Sequence, residues 1–179
     1  MATPPVFTSG QILTAAQMNA AGLWLVKSQT IGSGVTSQAV TDAFTTDFEA
    51  YKIVVTGGVA SAAALLSIQL GSTTSGYYYA HRALTYLGVS ADFSGANVAN
   101  FQRIGVATTN TLFGNVDLIN PFLAQNTLIN YFFLDSRSTG EAGAGGGVLA
   151  NATSYTGFTL AISSGTMTGG TIRVYGYNK

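Results

Sequence analysis

Residues 77–82 hold the densest group of recognition side chains in the sequence: three consecutive tyrosines, a histidine and an arginine. Neighbouring residues of a β-strand point to opposite faces, so Tyr77, Tyr79 and His81 would share one side and Arg82 would lie on the other. Tyrosines beside an arginine suit sugar rings or protein surfaces, because they combine flat apolar area with hydrogen bonds. These four residues are the receptor-binding candidates. The alternative is ordinary strand tyrosines, which β-sheets favour.

Catalytic chemistry has little support in the sequence. His81 is the single histidine and there is no cysteine, which excludes thiol catalysis and metal sites built from several histidines. A Ser-His-Asp triad would need His81, but no Gly-x-Ser-x-Gly turn supplies its nucleophile. The carboxylates of Asp117 and Asp135 could lie close together in the fold, although no feature of the sequence identifies them as a catalytic pair. We therefore expect a protein that is not an enzyme and that uses no cofactor and no metal.

The composition points to a protein that works inside an assembly. The chain has 179 residues, about one domain. Charged residues make up 8% of it, against roughly 25% in ordinary soluble domains, and the formal net charge is zero. The longest apolar stretch, residues 59–70, is too short to cross a membrane, so we expect no membrane insertion. The basic residues form no cluster, which argues against nucleic acid.

The first thirty residues are expected to form an anchoring segment. Thr14 and Gln17 match a capping box, which predicts a short helix near residues 15–21. A helix of two turns is marginal alone and must dock on something. It could cap the core of this domain or lock onto a neighbouring subunit. The apolar residues available for anchoring are Phe7, Ile12, Leu13, Met18, Leu23 and Trp24.

Residues 31–179 are expected to form one β-sandwich domain. From residue 23 onward apolar residues alternate with polar ones, which is the period of β-strands. About nine strands follow, separated by Gly, Ser, Thr and Asn clusters; this spacing is typical of sandwiches and jelly rolls. Residues 128–134 are apolar on both faces, which predicts a central strand covered on each side. Residues 138–147, rich in glycine and alanine, are expected to form a mobile or tightly packed loop. The predicted fold is therefore all-β, a single antiparallel, jelly-roll-like sandwich preceded by a short helix.

Three segments resemble virion proteins of tailed bacteriophages. Residues 7–19, FTSGQILTAAQMN, are similar to an F-x-x-G-x-x-L-T-A-x-x-x-N stretch that opens short fibre and tail proteins. Residues 165–177, GTMTGGTIRVYGY, resemble the last strand of phage fibre and tip domains, and residues 48–55, FEAYKIVV, resemble another of their strands. Together the segments cover about a quarter of the chain, at both ends and in the middle.

The resemblance implies a virion protein with an N-terminal attachment segment and a jelly-roll-like domain, commonly trimeric. We expect a short tail fibre or receptor-binding protein, assembled in the bacterial host cytoplasm and located in the virion. Its expected partners are other copies of itself, other virion proteins and a host surface glycan or protein. The main alternative is a capsid decoration or cement protein that stabilises the head. A depolymerase acting on surface polysaccharide is a third option.

Overall fold

The computed structural model describes Gly10 and residues 22–177, and within this part of the chain the regular elements are all β-strands. In chain order they are β1 (Leu23–Thr30), β2 (Ser37–Val40), β3 (Ala50–Ala60), β4 (Ala64–Leu70), β5 (Tyr77–Thr85), β6 (Phe93–Val98), β7 (Phe101–Ala107), β8 (Leu112–Ile119), β9 (Thr127–Leu134), β10 (Glu141–Leu149), β11 (Phe158–Ile162) and β12 (Met167–Tyr177). The all-β prediction is confirmed. The predicted helix, with Phe7, Ile12, Leu13 and Met18, lies outside the described residues.

All twelve strands join one open sheet, and every pairing between them is antiparallel. One path runs β1-β12-β3-β8-β9-β10-β5-β6, and a second runs β2-β11-β4-β7. The two paths meet at β8, whose first residues pair with β7 and whose later residues pair with β9. The strand β8 therefore connects the two parts of the sheet.

Alternation along the strands builds the core. Strand β3 buries Tyr51, Ile53 and Val55, and the residues between them lie on the other face. The buried residues of both paths belong to one hydrophobic cluster, so the core is shared by the two parts of the sheet. Phe44 and Tyr51 contact each other edge to face inside it, with ring centroids 4.9 Å apart.

Strand β1 belongs to the sheet, not to a separate anchoring segment. It pairs with β12 from Leu23 to Thr30, with one irregularity between Leu25 and Lys27. Of the two anchoring candidates that the structure describes, Leu23 is exposed and Trp24 is half-buried. The sheet of the β domain therefore includes Leu23–Thr30, which lies before the boundary predicted at residue 31.

The glycine-rich segment is a strand, which corrects the predicted loop at residues 138–147. Strand β10 runs from Glu141 to Leu149 between β5 and β9, and it is hydrogen-bonded to both. A Cβ atom on Gly145 would lie 2.3 Å from the Tyr131 ring, and one on Gly147 would lie 2.3 Å from the Tyr78 carbonyl oxygen. Glycine is required here because neighbouring side chains and backbone occupy the space that a Cβ would fill.

Candidate functional site: two surfaces on one sheet face

The predicted alternation of residues 77–82 is confirmed, but the side with more tyrosines faces inward. Tyr77 and Tyr79 on β5 are 0% and 8% exposed, and His81 is 2% exposed. The Tyr77 hydroxyl accepts a hydrogen bond from the Leu70 amide at 2.8 Å, and burial raises its pKa to about 12. These three residues are core residues and cannot contact a receptor; among the four candidates, Arg82 is the exposed one. Aromatic side chains bury large apolar areas, which explains why the inward side holds them.

His81 lies in an aromatic cage on the inner side of the sheet. Its ring stacks on Tyr131 at 5.8 Å between centroids, and it meets the edge of Phe133 at 5.0 Å. Neither ring nitrogen has a protein hydrogen-bond partner. Burial lowers the pKa of His81 and Arg103 lowers it further, against opposing effects of Glu141 and Asp92. The folded protein therefore holds His81 neutral.

This burial predicts a stability that falls in mild acid. An unfolded histidine has a pKa near 6.5, so below about pH 6.5 the unfolded chain binds a proton that the folded chain excludes. The stability that depends on a neutral His81 is therefore complete above that pH. It is lost as the pH falls toward the lower pKa that His81 has in the folded protein. We expect the free energy of unfolding to drop between pH 7.5 and 5.5, with a slope from this one proton of at most about 1.4 kcal/mol per pH unit. Urea titrations at both values measure it, and His81→Phe should remove most of the difference.

A tyrosine patch lies on the outer face of the sheet, formed by Lys52, Asp117, Arg173, Tyr175 and Tyr177. Tyr175 is the register partner of Lys52, and Lys52 is the partner of Asp117. The Lys52 ammonium donates to Asp117 Oδ1 at 3.1 Å, and the Tyr177 hydroxyl donates to the same oxygen at 2.5 Å. Burial and Asp117 raise the pKa of Tyr177 to about 12. The patch holds rings, a cation and a carboxylate in fixed positions.

The tyrosine patch was not predicted from the sequence, although the strand that carries its tyrosines shows a clear alternation. Tyr175 and Tyr177 alternate with Ile172 and Val174, which are buried. The same alternation therefore places Arg173, Tyr175 and Tyr177 on the half-exposed side of β12. Lys52 and Asp117 come from strands far apart in sequence, and only the register of β3 and β8 brings them to β12.

An apolar face adjoins the tyrosine patch on the outer side of β5, β9 and β10; we define it by Tyr78, Leu84, Leu128, Phe132 and Leu134. All five side chains are at least 36% exposed. Between β9 and β6 lies a trough of about 600 Å³. Its floor consists of small residues, Ala80, Ala144, Gly146 and Ser94, and its rim carries Asn130, Arg82 and Asp92. The shape and composition of the apolar face suit a contact with the surface of another protein.

The described residues contain no group of three or more His, Cys, Asp or Glu side chains that could hold a metal ion. Among the same residues, no helix is long and apolar enough to cross a membrane. Asp135, one of the two carboxylates that could have met in space, is bound instead by the Arg137 guanidinium at 2.5 Å. Comparisons of the chain with protein-family models, with curated protein sequences and with solved structures found no match.

Proposed function

We propose that the β domain is a jelly-roll sandwich. Its two paths contain four-strand runs, β1-β12-β3-β8 and β2-β11-β4-β7, in which each strand of one run is adjacent in sequence to a strand of the other. This is the order produced when an antiparallel ribbon rolls into two facing sheets. Buried residues of both runs belong to one cluster, which is what a core between two sheets requires. Strands β9, β10, β5 and β6 then extend the first sheet.

On this fold we propose a structural protein of the bacteriophage virion, a short tail fibre or receptor-binding protein that is not an enzyme. Its N-terminal segment would attach it to the particle, and its β domain would contact the host surface. The observation that carries the proposal is the strand-pairing order, because the jelly-roll fold proposed from it recurs in viral coat and lectin domains. The resemblance of three segments to phage virion proteins and the low charge support the same reading.

The tyrosine patch is the proposed host contact. It replaces the buried candidates Tyr77, Tyr79 and His81, and it offers the same chemistry in an accessible position. Tyr175 and Tyr177 supply flat area with hydroxyl groups, and Arg173 adds a cation. Aromatic residues with arginine dominate the energetics of many interfaces. A host glycan or protein would meet both kinds of group there.

A capsid decoration protein is the second candidate, favoured by one observation, the apolar face. A cement protein needs surfaces that bury against neighbouring subunits, and the described chain leaves such a surface open. The proposed protein works with other copies of itself in either case, and the resemblance implies a trimer.

Location on the particle separates the two functions. We expect gold-labelled antibodies against the β domain to decorate the tail of intact particles under the electron microscope. Particles that lack the protein should keep their heat and osmotic resistance and lose adsorption to host cells. Label over the head, with lost heat resistance and normal adsorption, would replace the tail-fibre proposal by the decoration protein.

A further inference from the structure

The β9 part of the apolar face is exposed, although the sequence of β9 is typical of a strand that is covered on both sides. Strand β9 buries Ile129, Tyr131 and Phe133 on the inner side of the sheet. On the outer side Phe132 is 48% exposed, and Leu128 is exposed to a similar degree. Strands apolar on both faces normally lie between two packed layers. Within the described chain one of those layers is missing, so this side of β9 lacks a partner.

Exposed apolar side chains are concentrated at this face. Of the twelve large apolar residues exposed in the described chain, five form this face and three more, Tyr86, Leu87 and Val89, lie on the β5–β6 turn beside it. Phe93 is excluded, because it pairs with His81 on the inner side of the sheet. Strand spacing and rise give the face an area on the order of 500 Å² per copy. Two copies would bury about 1,000 Å² in total, which reaches the size that a specific interface needs.

The charges on this face make it complementary to itself. Arg82 and Asp92 are its charged residues among those described, one of each sign. Within the chain Arg82 Nε and Asp92 Oδ1 are 4.0 Å apart, and the side chains are 86% and 55% exposed. Such an exposed pair holds its partners weakly and leaves both free to pair elsewhere. If Arg82 of one copy meets Asp92 of the other across a two-fold axis, the same contact forms a second time, since residue contacts are reciprocal across such an axis.

We propose that the apolar face packs against the same face of a second copy about a two-fold axis, with Arg82 of each copy opposite Asp92 of the other. This contact goes beyond the proposed host contact and rests only on the proposal that the protein works with copies of itself. The formal net charge of zero removes the self-repulsion that would oppose it. The resemblance implies a trimer, so the two-fold contact is a distinct expectation.

The oligomeric mass of the purified full chain tests whether the apolar face joins two copies. We expect a dimer, or a larger assembly with an even number of copies, in light scattering after size exclusion. The double variant Leu128→Glu, Phe132→Glu should be monomeric with an unchanged melting temperature, because both side chains are exposed. The matched double variant Leu25→Glu, Val59→Glu adds the same charge at exposed positions outside the face and should keep the wild-type mass. A monomeric or trimeric wild type, or a dimer that survives the first variant, would overturn the proposal.

Mixing two single variants tests the register. Arg82→Asp and Asp92→Arg each place like charges opposite one another, so each should weaken self-association at least about 10-fold. An equimolar mixture of the two variants should restore association, because each acidic side chain of one variant then lies opposite a basic side chain of the other. The ion pair between positions 82 and 92 within each chain stays broken. A mixture as weak as its components would refute the two-fold register. These readouts need no host, so host adsorption can fail or succeed independently.

Discussion

Replacement of Gly105 by valine is expected to lower the free energy of unfolding by about 3 kcal/mol, the largest effect of a single substitution predicted for this chain. Gly105 pairs with Gly114 where β7 meets β8, the point at which the two paths of the sheet join. A Cβ atom at Gly105 would lie 2.1 Å from the Phe113 carbonyl oxygen and 3.0 Å from Gly114 Cα. Both are backbone atoms, so relief requires the two strands to separate.

Chemical denaturation followed by fluorescence measures this loss. The single tryptophan, Trp24, lies in β1 and reports on its pairing with β12. Gly22→Val is the control, because a Cβ at Gly22 would meet no atom of the described residues within 4 Å. We expect the control to match the wild type within about 0.5 kcal/mol. Equal stability of the Gly105 variant and the control would show that β7 and β8 do not approach this closely.

Nine of the twelve strands were predictable, from apolar residues that alternate with polar ones or, for β9, from a run that is apolar on both faces. The three missed strands lack that signal for different reasons. Strand β2 has four residues at an edge of the sheet, too few to show a period. Strand β6 is mostly exposed and carries glycine and asparagine. Strand β10 consists largely of glycine and alanine, which strand propensity disfavours. Its place is set by the neighbouring strands, and no local pattern contains that information.

The period of a strand predicts which residues share a face, but not which face is buried. Tyr77, Tyr79 and His81 were correctly grouped, yet the choice of the exposed side depended on packing between distant strands. A strand with aromatic residues on one side and small or charged ones on the other most often buries the aromatic side. For β12 this rule fails, because the aliphatic Ile172 and Val174 are buried and the two tyrosines share the outer side with the charged Arg173.

Particles carrying Tyr175→Ala with Tyr177→Ala are expected to adsorb to host cells about 10-fold more slowly than wild-type particles. Truncation removes the two rings of the tyrosine patch and the hydroxyl that bonds Asp117. Aromatic anchors of this kind often contribute 2 kcal/mol or more to an interface, so a 10-fold effect is a conservative expectation. The adsorption rate constant, measured from the decline of free particles at known cell density, gives the effect directly.

Two further variants separate recognition from structure. Tyr175→Phe with Tyr177→Phe keeps the rings, so an intermediate rate would divide the effect between ring area and hydroxyl groups. Val59→Ala truncates an exposed side chain away from the patch and should leave adsorption unchanged. Copies of the protein per particle must be equal in all variants, which quantitative blotting establishes. A normal rate in the double alanine variant at normal copy number would remove the tyrosine patch as the host contact. Of the two surfaces on this side of the sheet, the apolar face would then be the remaining candidate for a functional contact. That outcome favours the capsid decoration protein.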